Sequence, residues 1–253
     1  MNPSSDVLGI GRARWSSLPR RSSALSSGAS RSGQTEMLTR SLHAHISDHA
    51  FPCVGAKAAL KRGTLDVLAA RDMTSAWNDL PIHDALLAFA ERFRKSPSLF
   101  RSFAVVFEGP HNLTESEFEQ HLWQRIQSLS DKDTWRGQPY DARVSPDPED
   151  PHFSLSFGGE GYFVVGLHPN AARPARRFSH PTMVFNLHAQ FELLRAQGKY
   201  DGMREKIMIR DEAVAGSRNP MLAEHGTISE ARQYSGRIVG DDWRCPFRYK
   251  GRP

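Results

Sequence analysis

The chain has little cysteine. Cys53 and Cys245 are the two present in 253 residues, too few for the disulfide framework of a small secreted protein and without the paired spacing of a structural zinc site. Long apolar runs are also missing, and nothing approaches the ~18 residues needed to span a bilayer. The usual nucleotide and hydrolase signatures are absent as well: no GxxxxGK[ST], no GxGxxG after a strand, no HExxH, no GxSxG. An excess of one charge sign is scarcer than the formal +5 suggests. Residues 1–35 hold Arg12, Arg14, Arg20, Arg21 and Arg31 against Asp6, a net of +4, which leaves the remainder near +1 with 28 basic against 27 acidic groups. Nucleic-acid binding needs a concentrated basic face, and the body of the chain supplies no surplus for one. The expectation is a cytoplasmic protein with no nucleic-acid or membrane partner.

Residues 1–36 are rich in serine and arginine with poor apolar periodicity. They read as a disordered or non-native extension: either a transit-like leader or an overlong start, with Met37 as the first native residue. Residues 37–253 form one domain. The clearest strand signal is Pro151 to Pro169. Phe153, Leu155 and Phe157 alternate with His152, Ser154 and Ser156, three glycines punctuate a turn, and Tyr162 to Leu167 gives a second strand that stops at His168-Pro169. A five-residue loop, Gly158 to Tyr162, places Phe153, Leu155 and Phe157 with Phe163, Val165 and Leu167 on one apolar face. His168 then falls on the polar face beside Gly166, with room for something flat. A slip of one residue exchanges every side chain.

Helices are expected over 53–62, closed by Gly63, and from Pro81 through Ile82, Leu86, Phe89 and Phe93. A third follows the capping box Thr114-Glu115-Ser116-Glu117 through Phe118, Leu122, Ile126 and Leu129, and two more cover 183–197 and 200–214. Phe103 to Phe107 reads as a buried strand, 65–77 is ambiguous, and Asp131 to Pro151, with four prolines, reads as a loop. From Gly216 the chain has no clean period yet keeps Tyr234, Trp243 and Phe247. Strands and helices do not alternate regularly. The fold class is therefore α+β: one compact domain, a small, mainly antiparallel sheet packed by helices, and a long irregular C-terminal segment.

Candidate chemistry centres on His168, because neutral imidazole is a common metal and haem ligand. A histidine that simply hydrogen-bonds at a strand end is the plainer alternative. Arg173, Arg176 and Arg177 follow closely and, with Arg232 and Arg237, could bind carboxylates or phosphates; surface ion pairs are the other option. The pair His180 and His188 and the run His43, His45, His49 have ligand-like spacing, with solvated histidines as the alternative. Cys53 and Cys245 sit in apolar surroundings and read as buried thiols.

Several stretches carry a resemblance: FPCVGAKAAL (Phe51 to Leu60), HFSLSFGGEGYFVVGLHPNAARPARRF (His152 to Phe178), MVFNLHAQFELLRAQGKYDGMREKIMIRD (Met183 to Asp211), NPMLAEHGTISEARQYSGR (Asn219 to Arg237) and WRCPF (Trp243 to Phe247). Together they resemble the YqcI/YcgG family, whose characterised members include haem-dependent N-hydroxylases such as that of the guanitoxin pathway. The resemblance implies an iron-containing haem cofactor, dioxygen, an electron donor, and a small guanidine or amine substrate related to arginine. It implies a monooxygenase that hydroxylates nitrogen; the alternative is a haem-binding sensor or carrier without turnover. On this chain it implies His168 as axial metal ligand, with His188 and Cys245 as runners-up. Arg173, Arg176 and Arg177 would meet haem propionates or a substrate carboxylate, and Glu230 and Arg232 would contact substrate as catalytic residues.

Overall fold

A computed structural model describes residues 24–222 and 226–251. The first helix, α1 (Ala24–Ser47), runs without a break across the boundary expected at residue 36. Leu38, Leu42 and Ile46 recur every four residues and are buried on one face of it. Next come α2 (Val54–Arg62), β1 (Leu65–Asp72), α3 (Asp79–Lys95), β2 (Ser102–Gly109) and α4 (Glu115–Trp135). After a loop follow β3 (Leu155–Phe157), β4 (Glu160–Leu167), β5 (Thr182–Leu187), α5 (His188–Ala196) and α6 (Tyr200–Ala215). Local chemistry sets several ends. The Cys53 side chain accepts from Ala56 N at the start of α2, and Gly63 closes that helix with φ 64°. Both halves of the Thr114/Glu117 capping box are formed at α4.

The five strands form one sheet in the order β1-β2-β5-β4-β3. β1 and β2 pair in parallel, joined through α3, and every other pair is antiparallel. The α+β architecture with a mainly antiparallel sheet is therefore what forms. The irregular segment after α6 contains a short 3-10 turn at Glu230–Gln233, and it adds Tyr234, Cys245 and Phe247 to the core.

Both faces of the sheet are covered by helices. Phe103, Val105, Phe107, Tyr162, Val164, Met183 and Phe185 pack with α3 and α4. Ala104, Val106, Val165, Leu167 and Val184 pack on the other side with α1 and α2. Double-sided burial accounts for two departures from the sequence expectations. Residues 182–187 form β5 rather than the start of a helix, because a strand buried on both faces loses its period-2 pattern. The hairpin also takes the other register. Phe157 pairs with Glu160 and Leu155 with Tyr162, so the loop is Gly158-Gly159 alone. Their φ values, 59° and 77°, are those a type I′ turn requires. The five-residue loop assumed one wet face, and with apolar side chains packed on both faces there is nothing to segregate.

Two smaller departures concern ends. Residues 65–72 are a strand followed by a 3-10 turn at Ala76–Asn78, and α4 extends to Trp135, shortening the expected loop. The hairpin turn is tied to α4: Asp133 accepts from Gly158 N at 3.0 and 3.2 Å and lies 2.7 Å from His83 Nε2 of α3.

Candidate functional site

The register decides where His168 points. Its ring lies on the α4 side of the sheet, 1% exposed and stacked on Phe118 with centroids 4.3 Å apart. The space expected beside Gly166 is filled. A Cβ there would meet Phe118 at 2.7 Å and Leu122 at 2.9 Å. His168 Nδ1 has no hydrogen-bond partner among the described residues. Desolvation lowers the imidazole pKa to about 4, with Glu115 pulling the other way and Arg176 adding to the fall. His168 is a neutral core side chain, with no room for a planar ligand against it.

On the opposite face lies a cavity of about 330 Å³, at the lower end of the ~300–1,000 Å³ found for small-molecule sites. Its floor is the sheet, through Phe163, Val165, Val184 and Asn186. α1, α2, α5 and α6 wall it, and Asn219, Leu222, Gly226 and Ile228 of the irregular segment close one side. The walls are mostly apolar, and His188 and Glu230 both line the space.

His188 opens α5 where β5 ends, so the strand-to-helix junction fixes its backbone. Its side chain is 13% exposed, with Nε2 3.2 Å from Glu192 Oε1 and Nδ1 3.5 Å from Ser154 Oγ. Ser154 Oγ donates to Glu230 Oε1 at 2.6 Å, and Tyr234 OH donates to the same oxygen at 2.5 Å. Burial pushes the Glu230 carboxyl up to about 7, against the opposing pull of Ser154, Tyr234 and Arg195.

The expected arginines separate. Arg173 lines the cavity, held by Asp211 and Ser217 O. Arg176 lines it too, but its guanidinium bonds Gly166 O, Tyr234 O and Gln233 O, and burial lowers its pKa to about 10. Arg177 is exposed and bonds Ala171 O and Ala172 O beside its own loop. Arg232 reaches Gly240 O and Trp243, and Arg237 pairs with Glu119; neither lines the cavity. Glu230 and Arg232 are therefore not brought to one place.

Cys245 is buried in the α3/α4 core, where desolvation raises its pKa to about 12. Cys53, read from the sequence as an inert thiol, does line the cavity, and burial raises its pKa. His180 and His188 flank β5 at opposite ends. His45 is packed between Phe51 and Phe178, and no group of three metal-binding side chains is assembled among the described residues. Sequence reasoning missed Ser154, Tyr234 and Arg195. Ser154 had one signal: with the shorter hairpin loop it leaves the α3/α4 face for the His188 side.

Among the described residues no helix is long and apolar enough to cross a membrane. The YqcI/YcgG family model matches residues 42–248, and the chain belongs to that family. No curated protein and no solved structure matches it.

Proposed function

For this member of the YqcI/YcgG family we propose a haem-dependent monooxygenase that hydroxylates a guanidine or amine nitrogen of a small arginine-like molecule, in which His188 would hold the iron. One observation carries the assignment. Of the three ligand candidates His168, His188 and Cys245, only His188 lines the cavity. A haem iron needs one protein ligand rather than a cluster, and an imidazole on an otherwise apolar wall suits it. Cys53, also in the cavity, is held as a neutral thiol by burial, which disfavours thiolate ligation.

The remaining residues divide the work. Phe163, Val165 and Val184 offer a flat apolar surface for a macrocycle and exclude water. Arg173 and Arg195 are guanidinium groups at the cavity suited to carboxylates. Both already have carboxylate partners, Asp211 and Glu192, which an entering propionate would have to share. Asn219, Leu222, Gly226 and Ile228, from the segment after α6, would lie against an edge of the occupant. Glu230, with a pKa of about 7, can hold or release a proton at the cavity near neutral pH.

When bound, haem supplies dioxygen activation. One oxygen atom enters the substrate N–H bond and the other leaves as water, with two electrons from an external donor and two protons.

The test is an absorption spectrum of protein produced with supplemental haem, ferric and then reduced under carbon monoxide. A Soret band near one haem per chain that His188→Ala abolishes and Cys245→Ser leaves unchanged supports the reading. Oxygen-dependent hydroxylation of arginine analogues then separates the oxygenase from a carrier. Failure of well-folded protein to take up haem removes it.

A further inference from the structure

We infer that Tyr234, Trp123 and Trp243 form a route by which oxidising equivalents leave the cavity for the protein surface one electron at a time, with Glu230 taking the tyrosine proton. The inference rests on the reading of the cavity as the seat of an oxidising cofactor, but the transfer itself runs between side chains of the haem-free chain.

Tyr234 links the two sides of the sheet. Its hydroxyl donates to Glu230 Oε1 at 2.5 Å, closer than Tyr162 O at 3.3 Å, and Glu230 lines the cavity. Its ring meets Phe163 of the cavity floor edge-on, with centroids 5.3 Å apart. The same ring stacks on Trp123 of α4 at 5.7 Å, and Trp123 faces Trp243 at 6.3 Å. Tyr234 and Trp123 are buried, and Trp243 is partly exposed. Gly166 N of β4 donates to Tyr234 O at 2.7 Å and fixes the residue. Three of the most readily oxidised side chains thus stand in van der Waals sequence from the cavity wall to solvent.

Proton chemistry gives each ring its part. Burial raises the Tyr234 pKa well above its ordinary value, so the phenol is intact at neutral pH. On losing an electron it must lose its proton as well, and Glu230 Oε1 is within transfer distance. The Trp123 indole N–H is buried with no hydrogen-bond partner among the described residues, a costly feature that calls for a reason. With no acceptor, an oxidised Trp123 cannot shed its proton and be trapped. As a cation in an apolar core it is short-lived and passes the charge on.

Tyr234 yields one electron to the oxidised cofactor, and its phenol proton moves to Glu230 Oε1. Trp123 then gives an electron to Tyr234, which takes its proton back, and Trp243 gives one to Trp123. Trp243 loses its indole proton to water. A soluble thiol at the surface returns one electron and one proton to it.

The experiment is pulse radiolysis of haem-free protein in azide, whose radical takes one electron from tryptophan and becomes azide ion. The protein carries Trp15→Phe, Trp77→Phe and Trp135→Phe, so that Trp123 and Trp243 remain of the five tryptophans. Indole-radical absorption is expected to decay as phenoxyl absorption rises, at a rate independent of protein concentration. Trp123→Phe, which keeps a buried ring, slows that rise more than tenfold. Tyr234→Phe removes its fast part, and Glu230→Gln, whose amide cannot take the proton, slows it. In haem-loaded protein treated with hydrogen peroxide, Trp123→Phe bleaches the haem several-fold faster at equal starting haem content. A phenoxyl rise at the native rate in Trp123→Phe or Tyr234→Phe overturns the inference, and so does equal bleaching. Failure to take up haem removes the oxygenase reading instead, and the radiolysis still decides whether the three rings conduct.

Discussion

Phe118 lies flat against His168, the ring planes 17° apart, and this pair seals the sheet face opposite the cavity. The folded chain holds His168 neutral, with a pKa near 4 against 6.5 for the free side chain. A depressed histidine pKa gives stability that is fully present above pH 6.5 and lost as pH falls towards 4. At about 1.4 kcal/mol per pH unit the loss is on the order of 3 kcal/mol. His168→Leu keeps an apolar contact with Phe118 and removes the titration. Urea unfolding at pH 7 and pH 4.5 should show a smaller acid loss for this variant than for the native chain, with haem uptake unchanged. An equal loss in both would place the acid-sensitive group elsewhere.

How much of this was readable follows from burial. Ile82, Leu86, Phe89 and Phe93, and the Thr114/Glu117 cap, declare their helices because each has one wet side or one local bond, whereas the α1 stripe of Leu38, Leu42 and Ile46 follows a serine-rich, poorly periodic start and does not. Met183 to Leu187 do not, because β5 sits mid-sheet with core on both faces and reads as a bare apolar run. The side of His168 hung on the length of one glycine turn. The grouping at the cavity is illegible for another reason: His188 and Glu230 can be named singly, but with Cys53 and Ser154 they come from four distant segments that only sheet closure unites. Arg176 misled because a guanidinium suited to a carboxylate serves equally well to tie three backbone carbonyls.

That turn depends on Asp133. The carboxylate is 5% exposed and satisfies Gly158 N and His83 together. Asp133→Ala leaves a buried amide and a buried imidazole nitrogen unpaired, a loss of about 3 kcal/mol. Asp133→Asn keeps an oxygen for Gly158 N and should cost less. Urea midpoints of the two variants check the order, and midpoints in both equal to that of the native chain would mean the latch contributes nothing.

Glu230 should make the haem-free protein sensitive to alkali. Its carboxyl titrates near 7 when folded against 4.5 for the free side chain. A raised acid pKa means stability that is full below pH 4.5 and declines as pH rises through 7. The decline is on the order of 3 kcal/mol at about 1.4 kcal/mol per unit. Glu230→Gln stays neutral and keeps both hydroxyl bonds. The native chain should lose stability between pH 5 and 8 relative to this variant, measured by urea unfolding. Parallel pH curves would show that Glu230 ionises in the fold as it does in water.

The irregular wall gives a test of where haem goes. Arg218 is exposed, one residue before Asn219, which with Leu222 and Ile228 lines the cavity. Trypsin needs this segment to lift from the body before it can cut after Arg218. An occupant packed against its inner side makes opening rarer in proportion to its saturation, about 100-fold at a hundredfold excess over Kd if opening expels it. Haem loading should therefore slow cleavage after Arg218 while leaving exposed sites such as Lys95, at the end of α3 and away from the cavity, nearly unchanged. The His188→Ala variant, with the ligand gone, should lose the protection at matched haem concentration. Cleavage after Arg218 at one rate with and without bound haem would place the cofactor outside this cavity.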